Sequence, residues 1–164
     1  MFPGGRLDAA DLASPVAKKL KPAVIKTLAK KWPKDKAQGL AVAAVRETHE
    51  ETGLRIGTMK DGTLHPDLSG LEYIARAITP PDNPIRFHAR FFVIDAVHTE
   101  GQVRDSAELG DLQWRSLDEA LKMPIADVTE FVLHEVQRRY SGWQPPGIPL
   151  FSYRRGSALI HYEG

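Results

Sequence analysis

The chain has 164 residues, 42% of them apolar and 26% charged, with a net charge of +1, a size and balance that suit one folded domain, 1–164, with its own core. No apolar run approaches the roughly 18 residues of a membrane span, and the start carries no basic-then-apolar leader. With no cysteine there are no disulfides, no thiolate zinc site and no cysteine nucleophile, which leaves a cytoplasmic enzyme or binding domain.

Phe2-Pro3-Gly4-Gly5 reads as a turn in which glycine lets the backbone approach a ligand closely. From Ser14 to Gln38 the chain holds eight lysines against one aspartate, a local charge of +7, so the remainder carries −6. Pro22 suits a first helical position. Val24, Ile25, Leu28 and Trp32 form an apolar stripe with Lys26 and Lys30 outside it, and Pro33 should end that helix. The first reading of this segment is a packed helix with a solvated lysine face. The second is a holder for a substrate's remote phosphate. Nucleic acid is a poor fit, because one lysine-rich helix brings no aromatic platform.

A helix is expected from about Asp35 to Thr52, with Gly53 in the left-handed position that ends it. Ala41, Ala44, Val45, Thr48 and Thr52 give it a small-residue face able to press against a sheet. Glu47, Glu50 and Glu51 fall on the other face, at spacings of three and four. Like charges so placed cost a few tenths of a kcal/mol per pair. Arg46, four residues before Glu50, offsets part of that, but one guanidinium cannot neutralise three carboxylates. A hard divalent cation, Mg2+ or Mn2+, can do so while also engaging a substrate's phosphates. The plainer alternative is a solvated, glutamate-rich helix face.

Arg46-Glu47-Thr48-His49-Glu50-Glu51-Thr52-Gly53-Leu54 resembles the second half of the Nudix hydrolase signature, Arg-Glu-(apolar)-x-Glu-Glu-x-Gly-(apolar). Thr48 departs from it by replacing an apolar residue. The first half of that signature, Gly-x5-Glu-x7, is similar to the start of this chain only if Gly5 supplies its glycine. Gly5 lies 41 positions before Arg46, so an insertion of about 27 residues separates the halves. The signature's first Glu would fall near Asp11 counted from Gly5, or Gln38 counted back from Arg46, and no role is assigned to either. The resemblance implies that Glu47, Glu50, Glu51 and the Gly5 carbonyl are metal ligands, and that Arg46 steadies the carboxylates. With its Phe-Pro-Gly-Gly and long insertion, the chain resembles the branch of peroxisomal coenzyme A diphosphatase-like proteins and their bacterial relatives. By the same resemblance at least one strand is expected before Phe2, and either upstream coding sequence or another segment should supply it.

Leu71 to Thr79 reads as a strand stopped by Pro80-Pro81, and Ile85 to Val97 as a second. On the second, Phe87, Ala89, Phe91 and Val93 point one way, and Arg86, His88, Arg90 and Phe92 the other. Arg86 and Arg90 are candidate contacts for substrate phosphate, with a solvated sheet face as the alternative. An acidic loop follows, with Asp105, Glu108 and Asp111. By resemblance it should precede a late strand bearing Trp114 and supply the base or a further ligand. Glu108 is the candidate, with Asp105 and Asp111 behind it. Ser116 with Glu119 and Asp127 with Glu130 read as capping boxes opening two helices. The second helix lays Val128, Phe131, Val132 and Val136 on a core stripe. In the tail, 141–164, Leu150 to Tyr162 should form a hairpin turning near Arg155-Gly156, able to occupy a sheet edge.

The expected fold is therefore α/β, a Nudix-type α/β/α sandwich with a mixed sheet, short of its first N-terminal strand. The expected activity is metal-dependent hydrolysis of a nucleoside diphosphate linked to another group, coenzyme A-like or nucleotide-sugar-like. The alternative is a catalytically silent Nudix-fold domain that binds a nucleotide or regulates. The partner is a small molecule, with no membrane. The family also leaves room for a homodimer.

Overall fold

A computed structural model describes residues 2–80, 86–107 and 109–163. It is mixed α/β, as expected, and its residues cluster into two compact units. One comprises Phe2–Glu72 and Ile94–Trp114; the other comprises Tyr73–Val93 and Arg115–Gly164.

The first unit is built around α3, Ala37–Thr52, which a single 3-10 turn at Lys34–Lys36 leads into. Most of its buried residues are small: Ala37, Gly39, Ala41, Val42, Ala43 and Val45. Small side chains let neighbouring chain approach closely, and at Gly39 a β-carbon would come 2.7 Å from the Leu12 side chain. Leu12 belongs to α1, Ala9–Ala13, which packs there. The helix stops where predicted, with Gly53 at φ 76° and its N–H donating to the His49 carbonyl at 2.9 Å. The basic insertion forms α2, Pro22–Leu28, with Pro22 in its first turn and Leu28 fully buried beneath. All eight of the insertion's lysines are exposed, so the solvated-face reading describes them. A hairpin with no counterpart among the expected elements follows α3: β1, Gly57–Lys60, pairs antiparallel with β2, Thr63–Pro66. Asp61 and Gly62 turn it, both at positive φ, the primed-turn geometry that Asp-Gly favours.

The second unit is a four-stranded sheet. Its strands are β3, Glu72–Ile78; β4, His88–Val93; β5, Ile148–Arg154; and β6, Ser157–Glu163, in the order β4-β3-β5-β6. β3 runs parallel to β5, whereas β5 and β6 are antiparallel, so the sheet is mixed. The tail is thus the predicted hairpin, turning at Arg155-Gly156, and it joins the sheet beside β3. α5, Asp127–Tyr140, packs through Phe131 on Phe151, with ring centroids 5.1 Å apart. Burial of each such phenylalanine stabilises the unit by roughly 1.5–3 kcal/mol.

Two expectations need correction. Asp127 does not cap α5: Ala126 holds that place, while the Asp127 carboxylate accepts from the Tyr153 hydroxyl and the Val128 N–H. Trp114 lies on no strand; it sits in irregular chain and is 66% exposed. A strand needs a paired neighbour, and none is offered there among the described residues. The Ser116–Glu119 capping box is formed, and it opens the short α4, Leu117–Ala120. Among the described residues no helix is long and apolar enough to cross a membrane.

Candidate functional site

The last two turns of α3 carry Arg46, Glu47, Glu50 and Glu51, and the chain start comes back to meet them. The Gly4 N–H donates to Glu51 Oε2 at 3.2 Å. The approach of Gly5 is closer still: a β-carbon on it would lie 2.0 Å from Glu47 Oε1, so no other residue fits without displacing that carboxylate. The next carbonyl, Arg6 O, accepts from Arg46 Nη2 at 3.1 Å. Two separate lengths of chain therefore build one cluster, and α2 leaves and returns between them.

Arg46 is the hub. Its Nε and Nη2 donate to the two oxygens of Asp11 at 2.9 and 3.1 Å, a bidentate pair. Its Nη1 bridges Glu47 Oε1 at 2.9 Å and Glu50 Oε2 at 3.0 Å. Hydrogen bonding to Asp11 above all, against partial burial and with Glu47 adding to it, raises the guanidinium well above its already high pKa; it is permanently charged. Asp11 is almost wholly buried and serves Arg46 alone, apart from the Asp8 N–H, which donates to it at 2.8 Å. Spacing along the chain assigns Asp11 no role. Its position six after Gly5 was the available signal, obscured because it is Asp rather than Glu and lies 35 residues from its partner.

Glu51 is 7% exposed, and a buried carboxylate must be hydrogen-bonded or compensated by positive charge. Gly4 supplies part of that requirement. Carboxylates and a backbone carbonyl are the hard oxygen donors that Mg2+ and Mn2+ select, so the donor set fits such an ion in kind. Among the described residues no three acidic or imidazole side chains already converge as a cage. The reason is visible at Arg46, which draws Glu47 and Glu50 to itself while Glu51 turns to Gly4.

The structure thus brings Gly5, Arg46, Glu47, Glu50 and Glu51 together. Arg86 and Arg90 belong to the other unit. Arg86 is exposed; Arg90 lies on β4, donates to the His88 carbonyl at 3.2 Å, and has its pKa lowered by burial. Glu108 lies outside the described residues. Of the carboxylates behind it, Asp105 accepts the Leu112 N–H at 3.0 Å and Asp111 accepts Gln113 Nε2 at 2.7 Å, so both serve their own loop. That loop docks on the end of α3 through the Arg104 N–H, which donates to Thr52 O at 2.9 Å. The Arg104 side chain lies against Gly53, where a β-carbon would come within 2.7 Å of it.

Known proteins resemble the chain in sequence and in fold. Residues 34–136 match the NUDIX domain family model. That match begins beyond Gly4, Gly5 and Asp11, the part of the cluster contributed by the chain start. Among solved structures, the chain is similar to a NUDIX hydrolase from Alicyclobacillus acidocaldarius at 28% identity and a TM-score of 0.56, over 82% of this chain and 73% of that one. No curated protein matches the chain.

Proposed function

The chain belongs to the NUDIX family and hydrolyses diphosphate bonds, and from that premise we propose that its substrate is a nucleoside diphosphate joined to another group, of the coenzyme A or nucleotide-sugar kind. The observation that supports a hydrolytic site most is the convergence of Gly4, Gly5 and Asp11 on Arg46, Glu47 and Glu51; the substrate class rests on the resemblance of Phe2-Pro3-Gly4-Gly5 and the long insertion to the coenzyme A diphosphatase-like branch. Nudix enzymes in general use divalent metals, and Mg2+ or Mn2+ is the proposed cofactor here. Glu47, Glu50, Glu51 and the Gly5 carbonyl would hold it. When bound, such an ion polarises diphosphate oxygens and lowers the pKa of water at the phosphorus to be attacked.

The remaining work falls to the chain. Phosphoryl transfer depends mainly on positioning and charge stabilisation, so no nucleophilic side chain is required. Asp11 fixes Arg46, and Arg46 fixes the rotamers of Glu47 and Glu50. The Gly4 N–H holds Glu51, whose burial keeps competing water from one side of the carboxylate. Glu108 is the proposed base or further ligand, and Arg86 and Arg90 are the proposed contacts for substrate phosphate.

The test is an open panel. The protein is incubated with Mg2+ or Mn2+ and coenzyme A, ADP-ribose, dinucleoside polyphosphates or oxidised nucleotides, and the products are separated chromatographically. We expect one compound to be cleaved and Glu51→Gln to lower that rate at least about 100-fold, the upper end of what loss of a mere supporting residue costs a metal site. Unchanged turnover by Glu51→Gln would sink the assignment of the glutamates. Nucleotide binding without cleavage of any compound would favour the silent, ligand-binding alternative.

A further inference from the structure

We propose that β6 is a self-pairing edge: two copies of this chain join their β6 strands antiparallel about a two-fold axis, making one continuous sheet from two. This goes beyond the hydrolase reading and does not depend on it.

β6 is the last strand in the order β4-β3-β5-β6, and among the described residues nothing pairs with its outer side. All seven of its residues are in register with β5, from Arg154↔Ser157 to Ile148↔Glu163, without a bulge. Ser157 through His161 are exposed. Natural edges are usually blunted by lysine, proline, bulges or shortness. This strand, Ser-Ala-Leu-Ile-His-Tyr-Glu, has none of those devices. Instead Leu159 and Ile160, on opposite faces, are 44% and 46% exposed.

The register follows from the turn. Arg154 and Ser157 close a two-residue connection, so they form a hydrogen-bonded pair. In an antiparallel ladder such pairs alternate with non-bonded ones. Ser157, Leu159, His161 and Glu163 therefore direct their N–H and C=O groups to β5, and Ala158, Ile160 and Tyr162 direct theirs outward. An axis through Ile160 uses all three outward residues. Ile160 faces its own copy, and Ala158 faces Tyr162 of the second copy. Leu159 then faces His161, and Ser157 faces Glu163. No like charges are opposed, and an apolar pair lies on the axis. Antiparallel pairing sets the Arg154-Arg155 turn of each copy beside the Glu163 end of the other, whose carboxylate is already paired with Arg76, so Ile160 on the axis carries the contact. The contact is isologous, so it closes at two copies and cannot propagate into a fibre.

The experiment measures mass by light scattering during gel filtration of the full chain over a dilution series. Three variants accompany it: Ile160→Lys, Ile160→Glu and Ala158→Pro. Wild type should be a dimer that dissociates on dilution. Each Ile160 variant alone sets like charges against each other on the axis and should weaken the dimer at least about tenfold, or 1.4 kcal/mol. Mixing the two should restore a dimer containing one copy of each, because only this register makes residue 160 its own neighbour. Ala158→Pro removes an outward N–H while sparing the ladder to β5, and it decides the matter if the charged variants fail to fold. A monomeric wild type, or a dimer unaffected by these changes, would overturn the proposal.

Discussion

Two arginines, one in each unit, deal with buried charge in opposite ways. Arg46 has more partners than it needs: both oxygens of Asp11, one each from Glu47 and Glu50, and the carbonyl of Arg6. Arg76, on β3, makes one ion pair, Nη1 to Glu163 at 3.2 Å, and its buried Nε has no acceptor among the described residues. Surplus at the first site means that Glu47 and Glu50 can leave Arg46 without stranding it, because Asp11 remains. Scarcity at the second means that the pair can only be kept or lost. The first arrangement suits carboxylates that must change partners during function; the second suits a joint between strands.

The contrast can be broken by experiment, starting with the largest effect. Glu163→Gln should destabilise the protein by roughly 3 kcal/mol, since removing one member of a buried pair leaves the other uncompensated; chemical denaturation measures it, and a change near zero would erase the distinction. Glu47→Gln should do the reverse. Turnover falls on the order of 100-fold, about 2.8 kcal/mol at 1.4 per tenfold, while the denaturation midpoint barely moves. Asp11→Asn keeps the shape but loses the charge, and should cost about 1.5 kcal/mol, the low end for a hydrogen bond to a charged group. It should also lower activity without touching substrate, which the rate and a thermal melt report together.

The smallest effect concerns pH. Burial pushes the Asp67 carboxyl up, but hydrogen bonds from Lys18 and Ser69 outweigh it and hold the group below its ordinary value. A folded pKa below the unfolded one stabilises the protein above the ordinary carboxylate range, and that contribution is lost as pH falls through the folded value. Lys18 is two-thirds exposed, so the effect stays within about 1 kcal/mol. Asp67→Asn should flatten the stability profile on the acid side by no more than that, in denaturation series read from neutral pH downwards.

What the sequence disclosed depended on how local the controlling physics is. α3 was legible because its periodicity and its Gly53 stop lie within one stretch. The β5–β6 hairpin was legible because alternating residues flank Arg155-Gly156. The hairpin at Asp61-Gly62 has an equally local signal and was overlooked, as its strands are only four residues each. Asp11 was not legible in the same sense. Its role comes from folding across 35 residues, and spacing along the chain says little about a partner met through space. Asp127 shows the converse: a carboxylate at a helix start reads locally as a cap, but Tyr153, on a distant strand, engages it.

The Asp11–Arg46 pair also behaves as a noncovalent staple at the neck of a loop. The entropy of closing a loop grows only with the logarithm of its length, so one of 35 residues costs about 1.4 kcal/mol more than one a fifth as long. A bidentate, charge-assisted contact offsets a difference of that size. Past the staple, the exposed lysines of the insertion can change at almost no cost to the carboxylates, whereas Leu20 and Leu28 tie the segment into the core. A cut within it would leave two pieces of chain still gripping each other at the site. The carboxylate cluster is in that sense a clasp, and the insertion is a strap that hangs from it, pinned at Leu20 and Leu28.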